Sequence, residues 1–182
     1  MTNKEQHQAD FLADEGKSFY QAKKYLPAAD SFSRAAEIYA ASGEPLKGAE
    51  MRNNQCVSLL QARKPQEALE AVKGTSVLFS QGGERVNAGM ALANEAAALK
   101  DLGKVDSAVD KFSQAADIFQ AEGKNDLYLE TMQSISGLKL RSREIIGAVF
   151  SMQRGLDGVE KPTWRQKILK SLLKLPDKLL NK

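Results

Sequence analysis

Residues 32–43 read FSRAAEIYAASG, and residues 112–123 read FSQAADIFQAEG, a near copy displaced by 80 residues. Midway between them, residues 72–83 (VKGTSVLFSQGG) keep the same order of large and small side chains. The chain therefore repeats every 40 residues, and a fixed period of this length without insertions predicts a helical solenoid. Four copies cover about residues 9–48, 49–88, 89–128 and 129–160.

Each copy predicts two helices whose buried faces are marked by columns of equivalent residues. The first helix carries a small residue with large apolar residues on either side of it. The second helix carries alanine, then a large residue, then another small residue, at spacings of four and three that lie on one helical face. In copies one and three these residues are Leu12, Gly16, Phe19, Ala28, Phe32 and Ala35, and Leu92, Ala96, Leu99, Ala108, Phe112 and Ala115.

Glycines predict where the second helices end. Gly43, Gly83 and Gly123 stand at equivalent positions, and each suits the left-handed conformation of a helix C-cap because glycine has no Cβ to clash. In copy four, three further glycines lie between residues 147 and 158, inside the second helix. Each costs about 1 kcal/mol relative to alanine in a helix interior, so we expect a shortened last helix.

The order of large and small residues on both helices, over about residues 9–160, resembles the tetratricopeptide repeat. The resemblance implies an all-α, right-handed solenoid of helical hairpins that binds a peptide segment in a concave groove. This chain departs from the pattern in its period of 40 residues rather than about 34. It also lacks the usual proline near the repeat end and has Arg52 where a large apolar residue is expected. We predict four repeats within residues 1–160 and a separate helix over residues 161–182.

The composition argues against catalysis and against a membrane span. His7 and Cys56 are the single histidine and the single cysteine, and no catalytic set, metal-ligand spacing or phosphate-binding loop can be assembled. We therefore predict that the protein is not an enzyme and uses no metal or other cofactor. We expect His7 to precede the first helix. No apolar run approaches the roughly 18 residues of a membrane-spanning helix, and the start MTNKEQHQAD lacks the features of an export signal, which predicts a cytoplasmic location.

The charge is unevenly distributed. Residues 161–182 contain seven lysines or arginines and one aspartate, for a net charge of +6. Residues 1–160 contain 19 basic and 22 acidic residues, for a net charge of −3. A mildly acidic repeat region does not fit a phosphate backbone, so we predict no nucleic-acid partner.

Polar residues of the first helices are the candidate binding residues. Asp14, Asn54 and Asn94 occupy the sixth position of copies one to three, which in tetratricopeptide proteins commonly faces a bound peptide. Asparagine can both donate to and accept from a peptide backbone. Lys17 and Lys100 relieve an otherwise acidic lining, so a neutral or basic segment of a partner protein fits best. The alternative interpretation is an ordinary solvated surface.

The C-terminal residues predict a basic amphipathic helix. Thr163 and Gln166 match a capping box behind Pro162, and Pro176 is expected to end or kink the helix. The main apolar residues of the stripe are Trp164, Ile168 and Leu172, and the lysines largely outside it are Lys167, Lys170 and Lys174.

Three roles fit this helix. As a cap, it would cover apolar residues of copy four, and burying one large apolar side chain contributes roughly 1.5–3 kcal/mol. As a membrane-surface helix, it would gain about 1 kcal/mol from each lysine or arginine near anionic lipid. As a detachable tail, it would dock in the groove or on a partner. The cap is the simplest role, whereas the second would make the protein a peripheral membrane adaptor. Self-association through an exposed solenoid end is a further alternative.

Overall fold

The computed structural model of the protein describes residues 3–141 and 145–173, with side chains described for residues 5–140 and 147–173. The regular structure of these residues is entirely helical, which confirms the predicted all-α fold of packed helical hairpins. The helices are α1 (Asn3–Gln21), α2 (Tyr25–Ala41), α3 (Pro45–Gln61), α4 (Pro65–Val72), α5 (Thr75–Gln81), α6 (Arg85–Asp101), α7 (Val105–Ala121), α8 (Asn125–Arg141), α9 (Ile145–Asp157) and α10 (Trp164–Leu172).

The chain divides into two compact units, residues 1–111 and residues 112–182, with the boundary inside α7. In the first unit, α1 pairs with α2, α3 packs against α2 and α4, and α6 packs against α4 and α5. In the second unit, α8 pairs with α9. The predicted boundary between a solenoid over residues 1–160 and a helix over residues 161–182 stays a prediction.

The predicted columns form the core of the helix pairs. The four residues of the alanine column each expose at most 1% of their surface: Ala28, Ala68, Ala108 and Ala148. The large residues that follow them are also buried in the first three copies, as Phe32, Val72 and Phe112. Small residues therefore let the paired helices approach, while the large residues fill the space between them.

Within the described residues, six helices end in the same turn at intervals of 20 residues, so copies one to three each consist of two similar halves. In these six turns the residues of positive φ are Lys23, Gly43, Arg63, Gly83, Gly103 and Gly123, with φ between 59° and 79°. The N–H of the next residue donates to the carbonyl five positions earlier, as from Glu44 to Tyr39 at 2.9 Å, which is the Schellman motif. The predicted glycine helix ends are confirmed.

The second helix of copy two differs from the prediction of one continuous helix. It is split into α4 and α5, because Lys73 adopts an extended ψ of 124° and Gly74 has a φ of 79°. The Thr75 hydroxyl donates to the Val72 carbonyl at 2.8 Å across this break. The expected continuity is therefore wrong in this copy.

The two ends of the repeat region give one correction and one confirmation. Helix α1 begins at Asn3, so His7 lies within the helix and is exposed, rather than preceding it. Helix α9 has 13 residues, compared with 17 in α7, which confirms the shortened last helix.

Candidate functional site

Two adjoining depressions lie between α1 and α3. The first, of about 310 Å³, is lined by Lys17, Tyr20, Gln21, Phe32, Asn54 and Val57. The second, of about 280 Å³, is lined by Asp10, Ala13, Asp14, Lys17, Tyr39, Lys47, Glu50 and Met51. Lys17 lines both depressions, and we call the two together the α1–α3 groove.

The first depression combines apolar surface with two polar groups. Half-buried Tyr20 and Val57, together with buried Phe32, supply the apolar part. Asn54 is half-buried on α3 and Lys17 is exposed on α1. An amide that can donate and accept beside an apolar wall can hold a peptide backbone while the wall contacts a side chain.

The second depression is acidic. Asp10, Asp14 and Glu50 supply three carboxylates against the ammonium groups of Lys17 and Lys47. The Lys17 Nζ lies 3.1 Å from Asp14 Oδ1, but both side chains are largely exposed, so this ion pair contributes little to stability. The net charge of the lining favours a neutral or basic ligand group.

Tyr39 links α2 to α1 at the second depression. Its hydroxyl donates to Asp10 Oδ1 at 2.5 Å. Burial, together with this hydrogen bond and the negative charge of Asp10, raises the pKa of Tyr39 above its ordinary value. Tyr39 therefore keeps its proton at neutral pH and holds Asp10 in position.

The structure brings only some of the predicted binding residues together. Asp14, Lys17 and Asn54 line the α1–α3 groove, whereas Asn94 and Lys100 of α6 are not among its lining residues. Asn94 is half-buried, and exposed Lys100 pairs with neighbouring Asp101 at 3.6 Å. The roles of all five residues stay predictions.

Tyr20, Gln21 and Val57 line the groove and were missed by sequence reasoning. Tyr20 directly follows the column residue Phe19, so a second large residue beside the core face was the available signal. Gln21 and Val57 carry no comparable signal.

Cys56 is fully buried, and burial raises the pKa of its thiol to about 12. The thiol is therefore protonated at neutral pH and packs as a small apolar group. Among the described residues, no group of three or more histidine, cysteine, aspartate or glutamate side chains is placed to hold a metal ion.

Helix α10 begins as predicted. The backbone N–H of Thr163 donates to Gln166 Oε1 at 2.7 Å, and the N–H of Gln166 donates to Thr163 Oγ1 at 3.3 Å, which completes the capping box. Lys170 Nζ lies 2.5 Å from Asp157 Oδ1 at the end of α9. The contact between α10 and α9 thus includes Lys170, a residue outside the apolar stripe of α10.

The apolar stripe of α10 is exposed. Trp164 is 67% exposed, Ile168 51% and Leu172 77%, and no residue of α10 is buried. The burial expected of a cap over copy four is therefore not seen in the described residues. Lys167 is exposed beside the stripe, whereas Lys174 lies outside the described residues.

Packed helical hairpins that recur along the chain define a helical-repeat protein. The chain belongs to the soluble NSF attachment protein (SNAP) family, whose model matches residues 1–152. This membership supports a non-catalytic scaffold with a protein partner and agrees with the resemblance to tetratricopeptide repeats. Helix α10 lies beyond the matched residues. No curated protein matched the sequence in a similarity search.

Proposed function

We propose that the protein is an adaptor that binds an extended or helical segment of a partner protein in the α1–α3 groove. One observation carries the proposal: Lys17 lies in both depressions, so polar residues of copies one and two line one surface. The depressions together are large enough for several side chains. A preformed surface of this kind binds by complementarity and needs no chemical step.

The lining defines the partner segment. Asn54 would exchange hydrogen bonds with its backbone, while Tyr20 and Val57 would contact an apolar side chain. The carboxylates of Asp14 and Glu50 would accept hydrogen bonds from a lysine or arginine elsewhere in the partner segment. Since the family name describes attachment to NSF, purified NSF is the first partner to test. A cytoplasmic location is part of this proposal.

Combining Asp14→Lys with Asn54→Ala is expected to weaken partner binding about 10–100-fold, because a carboxylate that accepts from the partner's basic group and an amide contact are lost together. The binding of purified NSF by surface plasmon resonance measures this effect directly. A pull-down from cell extract, with bound proteins identified by mass spectrometry, covers other partners. Both side chains are at least partly exposed, so the variant should retain its helical circular dichroism.

The matched control combines Asp101→Lys with Asn94→Ala, the same two kinds of substitution on α6. These residues are not among those lining the groove, so binding should change less than threefold. Equal losses in both variants, or no loss in the first, would contradict the assignment of the α1–α3 groove.

A peripheral membrane adaptor is the second candidate function, and the exposed apolar face of α10 favours it. Trp164, Ile168 and Leu172 are exposed, with Arg165 and Lys167 beside them, which is the composition of an interfacial helix. Among the described helices, none is both long and apolar enough to cross a bilayer. Attachment to lipid would therefore occur at the membrane surface.

On this second hypothesis, replacing Trp164 and Leu172 with alanine reduces binding to vesicles of phosphatidylserine and phosphatidylcholine by at least about tenfold, because two apolar side chains no longer enter the lipid. Vesicle sedimentation measures the bound fraction. Leu26→Ala removes a similarly exposed apolar residue from α2 and serves as the control. Wild-type protein that stays in the supernatant with anionic vesicles would refute membrane attachment.

A further inference from the structure

A larger cleft, of about 600 Å³, lies between α2 and α4 and is also lined by α3. Helices α2 and α4 do not pack closely against each other, so their facing sides stay open. Exposed Leu26 supplies apolar surface, and the largely buried residues Ala29, Leu59 and Ala71 also line the cleft. We call this region the α2–α4 cleft, and it shares no lining residue with the α1–α3 groove.

The α2–α4 cleft coincides with the departure from the repeat at Arg52. The equivalent residues of the other copies, Leu12, Leu92 and Met132, are each buried. Arg52 is instead half-buried and lines the cleft. A large apolar side chain that would pack at this position is thus missing from copy two, and a polar, open surface takes its place.

The rim of the cleft is acidic and only partly neutralised. Its four carboxylates are those of Asp30, Glu37, Glu67 and Glu70, against the one guanidinium of Arg52. Arg34 lies 3.8 Å from Asp30 and Lys64 lies 3.2 Å from Glu67. Glu37 and Glu70 are exposed and form no ion pair with the described part of the chain. The cleft therefore attracts a basic ligand with an apolar face.

Helix α10 has the complementary properties. Its exposed face presents Trp164, Ile168 and Leu172, and the guanidinium of Arg165 lies 5.3 Å from the centre of the Trp164 ring. The nine residues of α10 span about 14 Å, compared with about 18 Å for the part of α2, from Leu26 to Glu37, that lines the cleft. Charge, apolar surface and length all match.

We propose that the α2–α4 cleft binds helix α10 of a second copy of this chain. The apolar face of α10 would pack on Leu26 and on the lining formed by Leu59, while its basic groups lie against Glu37 and Glu70 of the rim. Each chain offers one cleft and one helix, formed by different residues, so the contact is heterologous and extends to further chains unless a ring closes it. The proposal is independent of what the α1–α3 groove binds.

Sedimentation velocity over a range of concentrations tests the proposal on the full chain. The wild type is expected to associate with rising concentration, less so at high salt because the contact is charged. Glu37→Lys with Glu70→Lys, which alters the cleft, should abolish association, and so should Arg165→Glu with Lys167→Glu, which alters the helix. Circular dichroism checks that each variant is folded.

Mixing the two variants gives the decisive measurement. The cleft variant retains a native helix and the helix variant retains a native cleft, so an equimolar mixture should associate although neither variant does so alone. A chain carrying both pairs of substitutions should associate again, since its reversed charges attract. The control Asp106→Lys with Asp117→Lys reverses two exposed charges on α7 and should associate like the wild type.

Three results would overturn the proposal. The first is a wild type that stays monomeric at all concentrations, including one whose α10 binds only anionic vesicles. The second is undiminished association of the cleft variant. The third is a mixture of the two variants that remains monomeric, which would show that the helix of one chain does not bind the cleft of another chain.

Discussion

Replacing Phe79 with alanine is expected to lower the free energy of unfolding by about 3–5 kcal/mol. Phe79 is 1% exposed and lies in a core cluster with Cys56, Leu59 and Val72. Helix α5 has only seven residues, and Phe79 is its main buried anchor. Removing the ring leaves a cavity that the surrounding alanines are too small to fill. Urea unfolding followed by circular dichroism measures the change.

The control for this substitution lies in the same short helix. Val77 is 55% exposed, so Val77→Ala should change the free energy of unfolding by no more than about 0.5 kcal/mol. Similar losses in the two variants would mean that α5 is held by its helical backbone rather than by the Phe79 side chain. The urea midpoint and the slope should both be compared, because a changed slope would indicate an altered unfolded state.

The core was predictable because burial imposes the same demand in every copy. Phe79 shares its column with Tyr39 and Phe119, and the structure buries all three. An apolar residue at one position is weak evidence, whereas recurrence at 40-residue intervals identifies a buried face. The column fails at Val159, which follows the end of α9 and is half-buried. Gly158 separates Val159 from that helix.

Backbone conformation was less predictable than burial. Glycine indicated three helix ends correctly, but Lys23 and Arg63 adopt a φ of 59° in equivalent turns. A left-handed conformation costs a residue with a Cβ about 1–2 kcal/mol, and the Schellman hydrogen bonds of the turn offset that cost. Residue type alone does not reveal this compensation. The break at Lys73 and Gly74 was missed because the column pattern continues across it.

The candidate site shows a different limit. The repeat register correctly placed Asp14 and Asn54 on the first helices, but register says only which face a residue occupies. A depression depends on the gap left by neighbouring helices, here bordered by Tyr20 and Phe32. Arg52 was recognised as a departure from its column, yet the cleft beside it became visible only with α2 and α4 in place.

Gly155→Ala should destabilise the protein by about 1–3 kcal/mol, although helix propensity alone predicts a gain of about 1 kcal/mol. Alanine occupies the equivalent position in copies one and three, as Ala35 and Ala115, so the repeat pattern also favours the change. In copy four, however, a Cβ at residue 155 would lie 2.8 Å from the Cβ of Met132. That atom is fixed to the backbone of α8, so the two helices would have to separate.

Gly137→Ala is the matched comparison in the same helix pair. Nothing lies within 4 Å of a Cβ added there, so alanine should raise the free energy of unfolding by up to about 1 kcal/mol. Urea unfolding of both variants should therefore give shifts of opposite sign for one and the same substitution. A higher free energy of unfolding in both variants would show that helix propensity dominates and that α8 and α9 can separate at little cost. A loss only at residue 155 would establish that copy four requires glycine for close helix packing, despite the cost of glycine to α9.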